Sequence, residues 1–86
     1  MPANLYKTIV VEDEFLLCKN VVEKIHAANM NFQVIATAED GETALQLIEK
    51  HLPQLVITDI KMPIMDGLEL CKELYSFYPS IQILII

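Results

Sequence analysis

Four short apolar runs alternate along the chain with three stretches in which apolar residues recur every three or four positions. Residues 7–11, Lys-Thr-Ile-Val-Val, end in a β-branched apolar run of the kind found in strands buried on both faces. After Glu12-Asp13-Glu14 the spacing changes. Leu17, Val21, Ile25 and Ala28 recur at intervals of four, four and three, the stripe of an amphipathic helix. Residues 32–37 form a second apolar run. Asp40 and Gly41 then open a helix with Glu42 in its first turn and Ala44, Leu45, Ile48 and Leu52 on its inner side, ended by Pro53. Leu55–Thr58 is a third strand. The turn after it closes on Asp66, a helix N-cap residue type, and the helix that follows carries Leu70, Cys71, Leu74 and Phe77 up to Pro79. Residues 81–86, Ile-Gln-Ile-Leu-Ile-Ile, are a fourth strand.

The predicted order is therefore β-α-β-α-β-α-β. Apolar strands alternating with helices imply a parallel sheet covered on both faces, an α/β doubly wound fold. With 86 residues there is room for one domain, residues 6–86, preceded by a five-residue tail, 1–5. The chain is 53% hydrophobic, which is above the usual ~45–50% and implies that it buries more apolar surface than its own length covers.

Charge removes several classes of partner. Six basic residues against twelve acidic ones leave a net charge of −6, without a Lys/Arg cluster, so direct binding of nucleic acid or of an anionic membrane surface by this chain is not expected. No apolar stretch reaches the ~18 residues of a membrane span. Cys18 and Cys71 stand singly in helical apolar patterns and read as buried free thiols of a reducing compartment, the cytoplasm. His26, within a helix, and His51, near a helix C-terminus, read as structural or solvated.

In a parallel sheet all strand C-terminal ends share one edge, where ligands bind at the point at which the winding reverses. Glu12 and Asp13 follow the first strand and Asp59 follows the third, so three carboxylates converge there if those strands are neighbours. An acid after a strand often does no more than cap a helix. Three together repel one another, and a divalent cation relieves that repulsion; hard oxygen donors suit Mg²⁺ better than zinc. A strand-end aspartate beside such a cation is placed to act as a carboxylate nucleophile toward a phosphoryl group, with the backbone carbonyls of Lys61, Met62 and Pro63 close to the same pocket.

Ile-Val-Val-Glu-Asp-Glu (9–14), Ala-Glu-Asp-Gly-Glu-Thr-Ala-Leu (38–45) and Val-Ile-Thr-Asp-Ile-Lys-Met-Pro-Ile-Met-Asp-Gly (56–67) together resemble the receiver domain of two-component response regulators. The resemblance runs over residues 6–86. It implies a flavodoxin-like sheet of order 2-1-3-4-5, with four of the five strands in this chain. It also implies that Asp59 is the phosphoacceptor, that Glu12 and Asp13 are the acidic Mg²⁺ pair, that Asp59 and the carbonyl of Lys61 complete the metal ligands, and that Pro63 and Gly67 shape the loop. Glu12 stands where many members have Asp, and its longer side chain is expected to reach the metal through water. The implied partners are a sensor histidine kinase as phosphodonor and, in a full-length protein, an output domain of DNA-binding type. The implied role is that of a stoichiometric phosphoacceptor, not a turnover enzyme.

The hydroxyl residue that the family places after its fourth strand, and the lysine of its fifth, are missing from these 86 residues, so the domain reads as cut after the fourth strand. A strand at 81–86 without a fifth neighbour is expected to offer an edge for self-association. Two other readings compete. A haloacid-dehalogenase-like phosphotransferase would want a second Asp where Lys61 stands, and a pseudo-receiver would use the same surface for interaction without phosphotransfer.

Overall fold

The computed structural model describes residues 6–28, 31–62 and 64–86. The tail expected at residues 1–5 and the loop-shaping role expected of Pro63 lie outside the described residues. Four strands, β1 (Tyr6–Val11), β2 (Phe32–Ala38), β3 (Leu55–Thr58) and β4 (Gln82–Ile85), alternate with three helices, α1 (Phe15–Ala28), α2 (Gly41–His51) and α3 (Gly67–Phe77). The sheet is parallel throughout and runs in the order β2-β1-β3-β4. The chain thus winds outward from β1 to β2, crosses back over β1 to β3, and continues to β4.

Alternation along the central strands sorts the core into two layers. Ile9, Val11 and Val56 pack with Ala44 and Ile48 of α2 and with Leu70 and Leu74 of α3. Val10 and Ile57 face the other way, onto Cys18, Val21, Val22 and Ile25 of α1. The face that α1 turns to the sheet thus keeps Val21 and Ile25 of the expected stripe but takes Cys18 and Val22 in place of Leu17 and Ala28. Leu17 is 46% exposed and Ala28 is exposed, whereas Cys18 is buried. Spacing finds a helix but does not say which of two adjacent apolar positions the sheet will cover. Phe77 and Leu52 also lie exposed, because each sits at the very end of its helix, past the last turn that touches the sheet.

Both sheet-covering helices on the α2–α3 side begin and end on identifiable signals. The Asp40 carboxylate accepts from the Thr43 N–H at 2.7 Å, and Asp66 accepts from the Glu69 N–H at 2.9 Å, each an N-cap bond. Leu52 closes α2 in the left-handed region, φ 47°, its N–H donating to the Ile48 carbonyl at 2.8 Å, and Pro53 prevents continuation. At the sheet margins, the Val34 N–H donates to Nε2 of His26 at 3.3 Å, beside a register irregularity between β1 and β2. At the other margin, β4 has β3 as its one strand neighbour among the described residues and leaves Leu84, Ile85 and Ile86 exposed. Both cysteines are free; Cys18 is buried and Cys71 half-buried. No helix among the described residues is long and apolar enough to cross a membrane.

The difference in burial predicts a contrast. Leu74→Ala, at a fully buried position, is expected to cost ~2–5 kcal/mol in urea denaturation, and Leu17→Ala less than about 1 kcal/mol. The apolar edge predicts another: the 86-residue chain prepared alone should sediment with concentration-dependent mass, and Leu84→Lys should suppress that association.

Candidate functional site

β1 and β3 pair with Val11 opposite Thr58, and the Asp59 N–H donates to the Val11 carbonyl at 3.1 Å. The next residue on each strand is an acid. Glu12 follows Val10 by two positions and Asp59 follows Ile57 by two, so both continue the side of the sheet that faces α1. One oxygen or more from each of Glu12, Asp13 and Asp59 lies within 4.8 Å of the others. The three residues expected to converge do so, at the strand C-terminal edge where the winding changes direction.

The three carboxylates differ in setting. Glu12 is buried, Asp59 half-buried and Asp13 exposed. Burial pushes the Glu12 carboxyl above its usual range; a bond from Asp13 and the charges of Asp59 and Asp13 push it further, while the Glu14 N–H, donating to Glu12 Oε2 at 3.1 Å, opposes the rise. Asp59 Oδ1 accepts from the Ile60 N–H at 2.7 Å, which fixes the rotamer of the side chain at the strand end. The set is all oxygen, partly buried and partly open. It suits a hard divalent cation with several water ligands better than a zinc site, which would draw on nitrogen or sulfur. Neither His26 nor His51 belongs to the cluster.

The loop after Asp59 is held close. The Gly67 N–H donates to the Ile60 carbonyl at 2.7 Å, and a Cβ on Gly67 would collide with the Asp59 carbonyl oxygen. Glycine is required there because α3 starts directly against the backbone of Asp59. Lys61 is exposed within this loop and Met62 packs against the α2–α3 core layer. Two features were not evident from the sequence. Ile64 sits in the left-handed region at φ 69°, unusual for a β-branched residue. The Gly41 N–H at the start of α2 donates to the Met65 carbonyl at 3.0 Å. The Asp40-Gly41 pair was legible as a helix start and as part of the family motif, but not as a contact to the loop after β3.

A doubly wound parallel sheet with an acidic triad at its switch point is the architecture of a receiver-type domain. The family profile of the response regulator receiver domain matches residues 8–86, and the chain belongs to that family. It is 37% identical over 78 residues to transcriptional regulatory protein DegU of Brevibacillus brevis, covering 91% of this chain and 33% of that protein. It is 37% identical over 70 residues to transcriptional regulatory protein HptR of Staphylococcus aureus, covering 81% of this chain and 28% of the other. The chain thus spans about a third or less of these curated relatives. Among solved structures, the REC domain of AraT from Geobacillus stearothermophilus superposes with a TM-score of 0.86 at 34% identity, over 94% of this chain and 63% of that one. The signal receiver domain of the response regulator NarL from Mycobacterium tuberculosis gives 0.88 at 29% identity, over 95% and 65%.

The buried carboxyl makes a pH-dependent prediction. The folded value of Glu12 lies above its unfolded value, so the stability tied to its proton is complete below the unfolded carboxylate value and is lost as pH rises through the folded one. Glu12→Gln keeps the neutral form at every pH. In metal-free buffer it should raise Tm at neutral pH, with the gain shrinking toward acid pH.

Proposed function

We propose that this chain is a phosphoacceptor module, taking a phosphoryl group from a sensor histidine kinase onto Asp59 in two-component signal transduction. The observation that carries the proposal is the convergence of Glu12, Asp13 and Asp59 within 4.8 Å at the switch point of a receiver sheet. In the transfer, a carboxylate oxygen of Asp59 attacks phosphorus, the bond from phosphorus to the donor's imidazole nitrogen breaks, and that nitrogen keeps the electron pair and takes a proton from solvent. The product is an aspartyl phosphate.

Each residue has a part derived from its setting. Asp59 is presented by the rigid end of β3, with Oδ1 engaged by the Ile60 N–H, so the other oxygen is the free nucleophile. Glu12 and Asp13, with Asp59 and the Lys61 carbonyl, would hold Mg²⁺, whose charge would offset both the burial of the Glu12 carboxylate and the lesser repulsion from Asp59 and Asp13. When bound, Mg²⁺ supplies charge neutralisation for the incoming phosphoryl oxygens. The DNA-binding output domain implied by the transcription-regulator relatives would lie elsewhere in the protein that carries this chain, since a net charge of −6 does not suit a phosphate backbone.

The test uses the protein that carries this chain, incubated with Mg²⁺ and acetyl phosphate and followed by intact mass. One added phosphoryl group is expected, lost with Asp59→Asn and with EDTA. Mg²⁺ alone should shift the amides of residues 12, 13 and 59–61, and Asp13→Asn should weaken that response about tenfold or more. Mg²⁺ binding without any phosphoryl adduct from either acetyl phosphate or a histidine kinase would favour the pseudo-receiver reading.

A further inference from the structure

We infer that Gly41, at the first turn of α2, is a positioning residue for the acceptor loop. The loop between Asp59 and α3 is bonded locally: Ile60 N–H to Asp59 Oδ1, and the Gly67 N–H at the start of α3 to the Ile60 carbonyl. Those bonds secure its two ends. Apart from the bonds to α3, which begins where the loop ends (Gly67 N–H to the Ile60 carbonyl and Leu70 N–H to the Asp66 carbonyl), one backbone hydrogen bond among the described residues ties the loop to another element, the Gly41 N–H donating to the Met65 carbonyl at 3.0 Å.

Two further observations place weight on that bond. A Cβ on Gly41 would stand 2.6 Å from the Met65 carbonyl oxygen, 2.7 Å from Met65 Cγ and 2.9 Å from its Cβ, so the loop lies against the glycine as closely as backbone allows. Ile64, immediately before Met65, is in the left-handed region, a conformation that a β-branched side chain adopts only when its surroundings hold it there. The latch on the adjoining carbonyl is such a restraint. Any side chain at position 41 must push Met65 outward, and with it the turn through Ile64 and the carbonyl of Lys61.

Gly41 touches neither the acids nor any substrate. It acts through Met65, joining the start of α2 to the loop that follows β3. Its bearing on phosphoryl transfer rests on the function proposed above, whereas the placement of the loop does not.

Gly41→Ala is compared with Asp40→Ala, which removes the N-cap bonds to Thr43 and weakens α2 while leaving the Gly41 N–H in place. In metal-free protein, Gly41→Ala should shift the amides of residues 60–67, and Asp40→Ala should leave those beyond Ile60 nearly unmoved. The Mg²⁺ dissociation constant, read from amide shifts at 12, 13 and 59–61, should rise about tenfold in Gly41→Ala and stay within about twofold in Asp40→Ala. Adding Met65→Ala to Gly41→Ala removes the Cγ contact, one of the three close ones, and should restore part of the affinity. Should Gly41→Ala fail to fold, hydrogen exchange of the wild-type Gly41 amide decides: protection that increases with Mg²⁺ supports the latch, and exchange at the rate of an unprotected amide overturns it. Equal losses in Gly41→Ala and Asp40→Ala, or unmoved loop amides in Gly41→Ala, would also overturn it. A wild-type protein that takes no phosphoryl group would defeat the proposed function and leave these amide results standing.

Discussion

Everything at the site depends on the parallel register between β1 and β3. With Val11 opposite Thr58, the two strands end level, and the acids that follow them have no choice but to meet. Two carboxylates within 4.8 Å of one another repel by ~3 kcal/mol or more at an effective dielectric of about 20. Water screens the exposed Asp13, but Glu12 is buried and cannot shed its charge cheaply except by keeping its proton. A fold that holds such a cluster in place has to compensate through the rest of the sheet, where Ile9, Val10, Val11 and Val56 are fully buried. The strands that deliver the cluster are fully buried over Ile9–Val11 and at Val56.

The packing also divides the labour between the two faces. α1 covers the side onto which Glu12 and Asp59 continue, with a single buried residue, Cys18, and three half-buried ones against Val10 and Ile57. α2 and α3 share the denser layer on the other side. Their N-termini reach the same edge as the acids, and both begin with a buried glycine that touches the acceptor loop, Gly67 at Asp59 and Gly41 at Met65. The loop is therefore framed by the starts of two helices, while its own sequence supplies only local turns. The geometry around Asp59 is a property of helix placement as much as of strand register.

Membership in the receiver family gives that geometry a functional context, and the relatives at 34% and 29% identity superpose on nearly the whole chain. The acid pair lies deeper on one side than the other, with Glu12 buried and Asp13 open to solvent. That asymmetry distinguishes the two carboxylates chemically, although they are neighbours in the chain.

The alternation of apolar runs with helical spacing was sufficient to read the seven elements, their order and the α/β class, because each strand here is nearly continuous in apolar residues and each helix has a polar start or a proline stop. Asp40, Asp66, Pro53 and Pro79 mark the boundaries for purely local reasons of capping and backbone geometry. The acids after the first and third strands could be named as one site, since a parallel sheet brings its strand ends to one edge. On α1, Val21, Ile25 and the buried Cys18 were legible, but the exposure of Leu17 and Ala28 and the packing of Val22 were not, because adjacent apolar positions leave the periodicity of a helix unchanged. Nor could local sequence reveal the left-handed turn at Ile64 or the bond from Gly41 to Met65, 24 positions apart in the numbering. Those depend on how closely α2 approaches the loop after β3, a distance set by the packing of Ala44, Ile48, Leu70 and Leu74 in one shared core and by no residue alone.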